Sequence, residues 1–136
     1  MAAKSTISRI YTDLVTAIQE VITSKAIFTG GRPDFGEDEI PPKRFIVIEL
    51  PVQIEDYVVG KSKFLLNTTG VVYIFDKAKK DTTLNVNATS DFVESVTDLF
   101  PIVGQYFSAV NPKVLMRGAD EYGYQVVTVT FDIHSK

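Results

Sequence analysis

Ten residues near the C-terminus alternate strictly between two sets of side chains. From Tyr124 to Ile133, one set is mostly large and apolar: Gln125, Val127, Val129, Phe131 and Ile133. A repeat of two is the period of a β-strand, whose successive side chains point to opposite faces of a sheet. We therefore predict a strand with one buried face, and this strand needs a neighbour in its sheet. The nearest candidate is a short strand at Val114–Met116, joined to it as a hairpin through the turn Arg117–Gly123.

A different period runs through the first 25 residues. Apolar side chains recur there at steps of three and four, and they are Ile7, Ile10, Tyr11, Leu14, Val15, Ile18, Val21 and Ile22. Steps of this size place side chains along one stripe of an α-helix. We predict a helix from about Thr6 to Lys25, with Ser5 or Thr6 as its N-cap.

A second stripe with helical spacing follows later in the chain. Its members are Phe92, Val96, Leu99, Phe100, Val103 and Phe107. Pro101 lies inside this stripe, and a proline within a helix lacks a hydrogen-bond donor and clashes with the preceding turn. The pattern therefore predicts a second helix that is kinked, or broken into two helices, at Pro101.

The chain between these two stripes predicts three strands. Apolar and β-branched residues dominate the segments Arg44–Leu50, Val52–Val59 and Lys63–Asp76. Asn67 and Gly70 leave open the alternative that a bulge or turn splits the third strand. We expect the three strands to form an antiparallel meander.

This order of elements predicts the fold class α+β. It comprises an N-terminal helix, a three-stranded meander, a second helix and a C-terminal hairpin, with the helices packed on one mixed or antiparallel sheet. A length of 136 residues is usual for one domain, so we expect a single domain over residues 1–136. No apolar run approaches the roughly 20 residues of a membrane span, and the N-terminus lacks the pattern of a secretory signal. We therefore expect a cytosolic protein without a membrane partner.

Residues 28–43 are predicted to form a long irregular loop. Glycine and proline punctuate the segment, and its polar positions are mostly acidic. Gly30–Pro33 is not a phosphate loop, because it lacks the Lys-Ser/Thr ending and follows a helix. The acidic residues also lack the spacing of a calcium-binding EF-hand. Since loops of this length are uncommon in compact domains and are often functional, we interpret the segment as a charged contact surface or a solvated loop.

Residues that carry common catalytic chemistry are scarce. The chain has no cysteine and one histidine, His134, which excludes thiolate catalysis and zinc–thiolate sites. Asp132 lies two residues from His134, but no catalytic motif surrounds the pair, and an exposed terminal histidine is the simpler interpretation. The net charge of -3 also argues against a nucleic-acid-binding surface. We predict no enzymatic activity, no cofactor and no metal site.

The order of elements and the irregular loop resemble the tail terminator and neck-ring proteins of long-tailed bacteriophages. The resemblance rests on a first helix followed by Phe28–Pro33, an acidic stretch Phe35–Glu39, prolines and the apolar strand Phe45–Leu50. It continues through a second helix to an acidic turn at Gly118–Glu121 and a closing strand at Gln125–Ile133. It covers nearly the whole chain as an order of elements.

The resemblance implies a structural virion protein, namely a tail terminator or head-to-tail connector. Such a subunit forms a homo-oligomeric ring, commonly a hexamer, that caps the tail tube and joins it to the head. The implied partners are copies of itself, the tail-tube protein and head-completion or connector proteins, with DNA only passing through the channel. The implied location is the neck or tail of the virion, after assembly in the host cytoplasm.

The predicted subunit and tube contacts lie in the loop and in the turn before the last strand. The candidate interface residues are Gly31, Arg32, Asp34, Glu37, Asp38, Glu39, Arg117, Asp120 and Glu121. A second hypothesis is a small ligand-binding or accessory α+β domain without catalytic activity, with a pocket between the helices and the sheet.

Overall fold

The computed structural model describes residues 2–29, 33, 42–50, 55–59, 63–77, 86–104, 107–119 and 123–135. These residues form helices α1 and α2, a short 3-10 turn and seven strands. Their bounds are α1 Ala2–Ile18, the 3-10 turn Ser24–Ala26, β1 Ile27–Phe28, β2 Arg44–Glu49, β3 Glu55–Val59, β4 Lys63–Lys77, α2 Val86–Thr97, β5 Ile102–Val103, β6 Phe107–Ala119 and β7 Tyr124–Ser135. Neither helix in this described part is long and apolar enough to cross a membrane.

All seven strands belong to one sheet. Its order is β1-β2-β4-β7-β6-β5, and β3 pairs with β4 beside this path. Only β1 and β2 run parallel to each other, and the other pairs are antiparallel. Asn67 in β4 lies opposite Glu55 of β3 and also opposite His134 of β7. Strands β3 and β7 therefore lie on opposite edges of β4, and β3 continues the line of β2.

The predicted α+β fold class is wrong. Strands make up 53% of the structure, and in the part of the chain that it describes the sheet is a curled, mixed half-barrel accompanied by two short helices. The predicted α+β layout of a helix, a meander, a second helix and a hairpin does not match this strand-dominated architecture. The predicted meander is also wrong, because β2 and β3 both pair with β4 and not with each other. Both strands pair with the 15-residue strand β4. The sequence pattern instead favoured pairing between strands that follow each other along the chain.

Both predicted helices end earlier than their apolar stripes indicated. Helix α1 ends at Ile18 and not near Lys25. Helix α2 ends at Thr97, so Pro101 lies beyond it and produces no kink within a helix. Phe107 does not belong to a helix, because it begins strand β6. Its helical spacing from Val103 is therefore a coincidence of the sequence. Strand β6 in turn runs far beyond the three residues predicted for it.

The main core lies between one face of the sheet and the helices. Alternate residues of β7, from Val127 to Ile133, are fully buried on this face, together with Ile10, Leu14 and Ile18 of α1. The spacing of these α1 residues places them on one stripe, which faces the sheet. A smaller cluster occupies the opposite face, where the rings of Phe45 and Phe75 stack with centroids 4.5 Å apart. The centre of the sheet is therefore covered on both faces.

Gly70 explains how β4 passes through the core without a break. It lies directly opposite Phe131 of β7, and a Cβ atom at position 70 would come within 2.6 Å of the Phe131 ring. The glycine therefore makes room for an aromatic ring and does not mark a bulge. The alternative that Asn67 and Gly70 split this strand is wrong, since β4 pairs with β7 continuously from Asn67 to Lys77.

A buried ionic cluster fixes α2 against the sheet. Asp76 of β4 accepts hydrogen bonds from both Nε and Nη2 of Arg44, at 3.3 and 3.1 Å. The hydroxyl of Thr89 in α2 donates to the same carboxylate. The Arg44 guanidinium also lies over the ring of Phe92, 4.2 Å from its centroid. The charges are therefore paired and hydrogen-bonded, which is the condition under which buried charges are tolerated.

Candidate functional site

The sheet ends at both sides in strands of only two residues. On one side, β5 pairs with β6 at Ser108 and Ala109 alone. Beyond these residues, no strand of the described structure pairs with the outer edge of β6 from Val110 to Ala119. An unpaired strand edge presents free backbone N–H and C=O groups, and it is a template for pairing with another chain.

Three consecutive apolar residues lie on this open edge. Val114, Leu115 and Met116 are 47%, 52% and 52% exposed. Their partners in β7 are Val129, Thr128 and Val127, which are all fully buried. Since neighbouring residues of a strand point to opposite faces, the exposed apolar strip wraps around the edge from one face of the sheet to the other. We call Val114–Met116 the apolar edge.

The hydroxyl groups of β7 show which backbone groups of this segment face outward. Thr128 Oγ1 donates to the carbonyl oxygen of Leu115 at 3.3 Å, and Thr130 Oγ1 reaches that of Lys113 at 3.5 Å. The carbonyls of residues 113 and 115 therefore point toward β7. Backbone groups alternate in direction along a strand, so the N–H and C=O groups of Val114 and Met116 point away from the sheet. These four groups are available to an incoming strand.

The ends of the apolar edge are protected against uncontrolled pairing. The register of β6 shifts between Val110 and Lys113 and again between Met116 and Gly118. Asn111 and Gly118 have positive φ values of 58° and 87° at these irregularities. Bulges and lysines on an edge are the usual means by which proteins prevent aggregation through strands. Only the short segment from Lys113 to Met116 keeps a regular strand edge. An edge of this length favours contact with a specific partner over continuous pairing with strands of other chains.

A cleft of about 370 Å³ lies between α1 and β5. One wall is a stripe of α1 and the turn after it, and the other is β5 with the following glycine. The lining residues are Asp13, Thr16, Ala17, Glu20, Ile102, Val103 and Gly104. Val103 is 63% exposed, although it is large and apolar. Gly104 allows the close approach of the two walls, because a Cβ atom there would lie 2.6 Å from an oxygen of the Asp13 carboxylate.

The interface residues predicted from the sequence fall mostly outside the described residues. Arg117 is described, and it is exposed near the end of β6. The other eight predicted residues lie outside the described part of the chain: Gly31, Arg32, Asp34, Glu37, Asp38, Glu39, Asp120 and Glu121. The sequence interpretation missed the apolar edge, treating Val114–Met116 only as a short strand. The three adjacent apolar residues between Lys113 and Arg117 did not indicate this exposure, since such a run is typical of a strand that is covered on both faces.

The described residues also show where the terminal histidine lies. His134 is exposed at the end of β7. The carboxylate of Asp132 accepts a hydrogen bond from Asn111 Nδ2 at 3.1 Å, so it is oriented toward β6. Within the described ranges, no group of three or more His, Cys, Asp and Glu side chains is arranged to hold a metal ion.

Neither a protein-family model nor a curated protein sequence matches this chain.

Proposed function

We propose that this chain is a structural subunit that assembles with copies of itself, in a ring of the kind formed by phage tail terminators and head-to-tail connectors. The observation that supports the proposal is the apolar edge, with its outward backbone groups at Val114 and Met116. The ring and the virion role come from the resemblance of the sequence. In this role the subunit caps the tail tube and joins it to the head.

The size of the apolar edge favours an assembly built from many weak contacts. Burying one large apolar side chain completely stabilises by about 1.5–3 kcal/mol. The three residues are each about half exposed, so covering them contributes about 2–4 kcal/mol by the same scale. Association of two proteins costs at least about 4 kcal/mol in lost freedom of motion. A single edge contact is therefore weak, whereas a closed ring or a template of tail-tube subunits supplies several contacts at once.

Sedimentation velocity of the full chain over a wide concentration range, with electron microscopy in the presence of tail tubes, tests this proposal. We expect larger species of defined size at high concentration, or rings at the ends of tubes. The Leu115→Lys variant places a charge in the apolar edge and should raise the dissociation constant by about 10-fold or more. Ser90→Lys, at an exposed position of α2, adds the same charge elsewhere and should assemble like the wild type. A chain that stays monomeric at every concentration and forms no ring on tubes contradicts the proposal.

The cleft between α1 and β5 supports a second candidate function, a ligand-binding domain. Its volume of about 370 Å³ falls at the lower end of the range for small-molecule pockets, about 300–1,000 Å³. A thermal-shift screen with a metabolite library tests this alternative. A stabilising compound should lose its effect in an Ala17→Arg variant, which fills the cleft. If no compound stabilises the protein, or if the effect persists in that variant, the cleft is not a ligand site.

A further inference from the structure

The cleft and the apolar edge have complementary charges. Asp13 and Glu20 lie on the helical wall of the cleft. Glu20 lies in the turn that follows α1, where its N–H donates to the Ala17 carbonyl oxygen at 3.2 Å. Both residues line the same wall of the cleft, with Thr16 and Ala17 between them in the sequence. Within the described part of the chain, neither carboxylate forms an ion pair.

Two cations flank the apolar edge in a similar way. Lys113 and Arg117 are exposed and lie immediately before and after Val114–Met116. They are four residues apart along β6, and Arg117 lies at the register shift between Met116 and Gly118. Neither forms an ion pair with another described residue. The apolar edge therefore has a cation at each end, whereas one wall of the cleft carries two carboxylates.

The apolar parts of the two surfaces also correspond. Between Asp13 and Glu20, the helical wall carries the small side chains of Thr16 and Ala17. The opposite wall presents Val103, which is 63% exposed. A strand whose exposed residues are apolar in the centre and cationic at both ends therefore matches a cleft that carries carboxylates along one wall and an exposed valine on the other.

We propose that the segment Lys113–Arg117 of one copy docks into the α1–β5 cleft of the next copy. Lys113 and Arg117 pair with Asp13 and Glu20, and the apolar edge covers Val103. The inference rests on the proposed function of self-assembly and names the two surfaces that carry it. Since different surfaces of the same chain meet, the contact is heterologous, and repeating it closes a ring when the rotation between copies allows closure.

The charges disfavour the alternative in which two β6 edges pair with each other. An antiparallel pair centred on Leu115 places Lys113 of one copy opposite Arg117 of the other, and the same contact occurs twice. Like charges directly opposite each other destabilise a strand pair, and they oppose association of the wrong surfaces. The edge is therefore suited to an acidic partner surface and not to itself.

Charge reversal in pairs of variants tests the inference. The cleft variant carries Asp13→Lys and Glu20→Lys, and the edge variant carries Lys113→Glu and Arg117→Glu. In each variant alone, the two surfaces have the same sign, so the dissociation constant of self-association should rise by about 10-fold or more. In an equimolar mixture the signs are opposite again at every contact. We expect the mixture to regain the wild-type assembly in sedimentation velocity, and a mixture that does not regain it overturns the inference.

Cross-linking gives a second and independent measurement, because the chain contains no cysteine. Val103→Cys mixed with Leu115→Cys should form a disulfide between copies, whereas Leu115→Cys alone should not. A Ser90→Cys variant, with its thiol exposed on α2, serves as the control for random collision. A disulfide between two Leu115→Cys chains as fast as in the mixture shows edge-to-edge pairing and overturns the inference.

The outcomes separate the inference from the proposed function. If the wild type assembles and both charge variants assemble equally well, self-assembly stands but the proposed pair of surfaces is wrong. If the wild type forms no larger species at any concentration and no rings on tail tubes, and the cysteine variants form no disulfide between copies, both proposals fail. Circular dichroism of each variant confirms that it is folded before its assembly is compared.

Discussion

The ionic cluster between α2 and the sheet leads to a quantitative prediction for the Asp76→Asn variant. Asp76 is 8% exposed, and its carboxylate accepts hydrogen bonds from Arg44 and Thr89. Asparagine keeps the shape of the side chain but removes its charge, and its amide group places donors where acceptors were. Arg44 then keeps its charge in a partly buried position beside Phe92 but loses its ion pair with Asp76. We expect a folded protein of reduced stability.

The burial of the two side chains sets the size of the effect. Breaking a fully buried pair by removing one partner costs about 3–5 kcal/mol, whereas an exposed pair contributes about 0.2–1 kcal/mol. The Asp76 side chain is 11% exposed and that of Arg44 is 29% exposed, so the pair lies nearer the buried limit. We expect the free energy of unfolding to fall by about 2–4 kcal/mol. With a slope of the unfolding free energy against urea (m-value) of about 2 kcal/mol/M, this loss of stability lowers the urea midpoint by about 1–2 M.

Urea unfolding followed by circular dichroism measures this change. The matched control is Asp98→Asn, at an exposed position just after α2, which should change the stability by less than about 0.5 kcal/mol. A double-mutant cycle with Arg44→Met isolates the pair, and we expect a coupling energy of about 1–3 kcal/mol. If Asp76→Asn is as stable as Asp98→Asn, or if the coupling energy is zero, the cluster does not fix α2 to the sheet.

Two further substitutions test the packing of the sheet. Gly70→Ala brings a Cβ atom within 2.6 Å of the Phe131 ring and should lower the unfolding free energy by about 1–3 kcal/mol. Adding Phe131→Leu should recover part of this loss in urea unfolding. If stability does not recover, the steric explanation is contradicted. Tyr124→Phe removes the hydroxyl that donates to the Pro42 carbonyl oxygen at 2.7 Å. It should cost about 0.5–1.5 kcal/mol in the same assay, and an unchanged midpoint shows that this hydrogen bond contributes nothing to stability.

The sequence determined those elements in which the period of apolar residues along a single segment identifies a helix or a strand. The alternation from Tyr124 to Ile133 predicts a strand, and β7 confirms it at Tyr124–Ser135. Within α1, the stripe that includes Ile10, Leu14 and Ile18 is buried as its spacing predicts. In each segment a single repeat runs along the chain, so the period alone identifies the element. It did not predict the burial of β7 on both faces, where Tyr124 and Thr128 are also buried.

The same kind of pattern was misleading where two periods overlap. Val103 and Phe107 continue the spacing of α2, but they belong to β5 and β6. An apolar residue can fit the pattern of a helical stripe and that of a strand equally well. The sequence does not distinguish the two as long as the residues it contacts are unknown. The extent of the helices, and with it the fold class, therefore depended on pairing between distant segments that the local pattern does not contain.

The apolar edge shows most clearly what the sequence pattern does not predict. Three adjacent apolar residues such as Val114–Met116 are typical of a strand that is covered on both faces. In this fold they lie on an open edge, because β7 pairs with β4 on its other side and β5 covers only the start of β6. The sequence by itself determined that this segment is an apolar strand. Only the tertiary structure decided that the strand is exposed, since the position of a strand in its sheet is set by contacts between residues far apart in the chain.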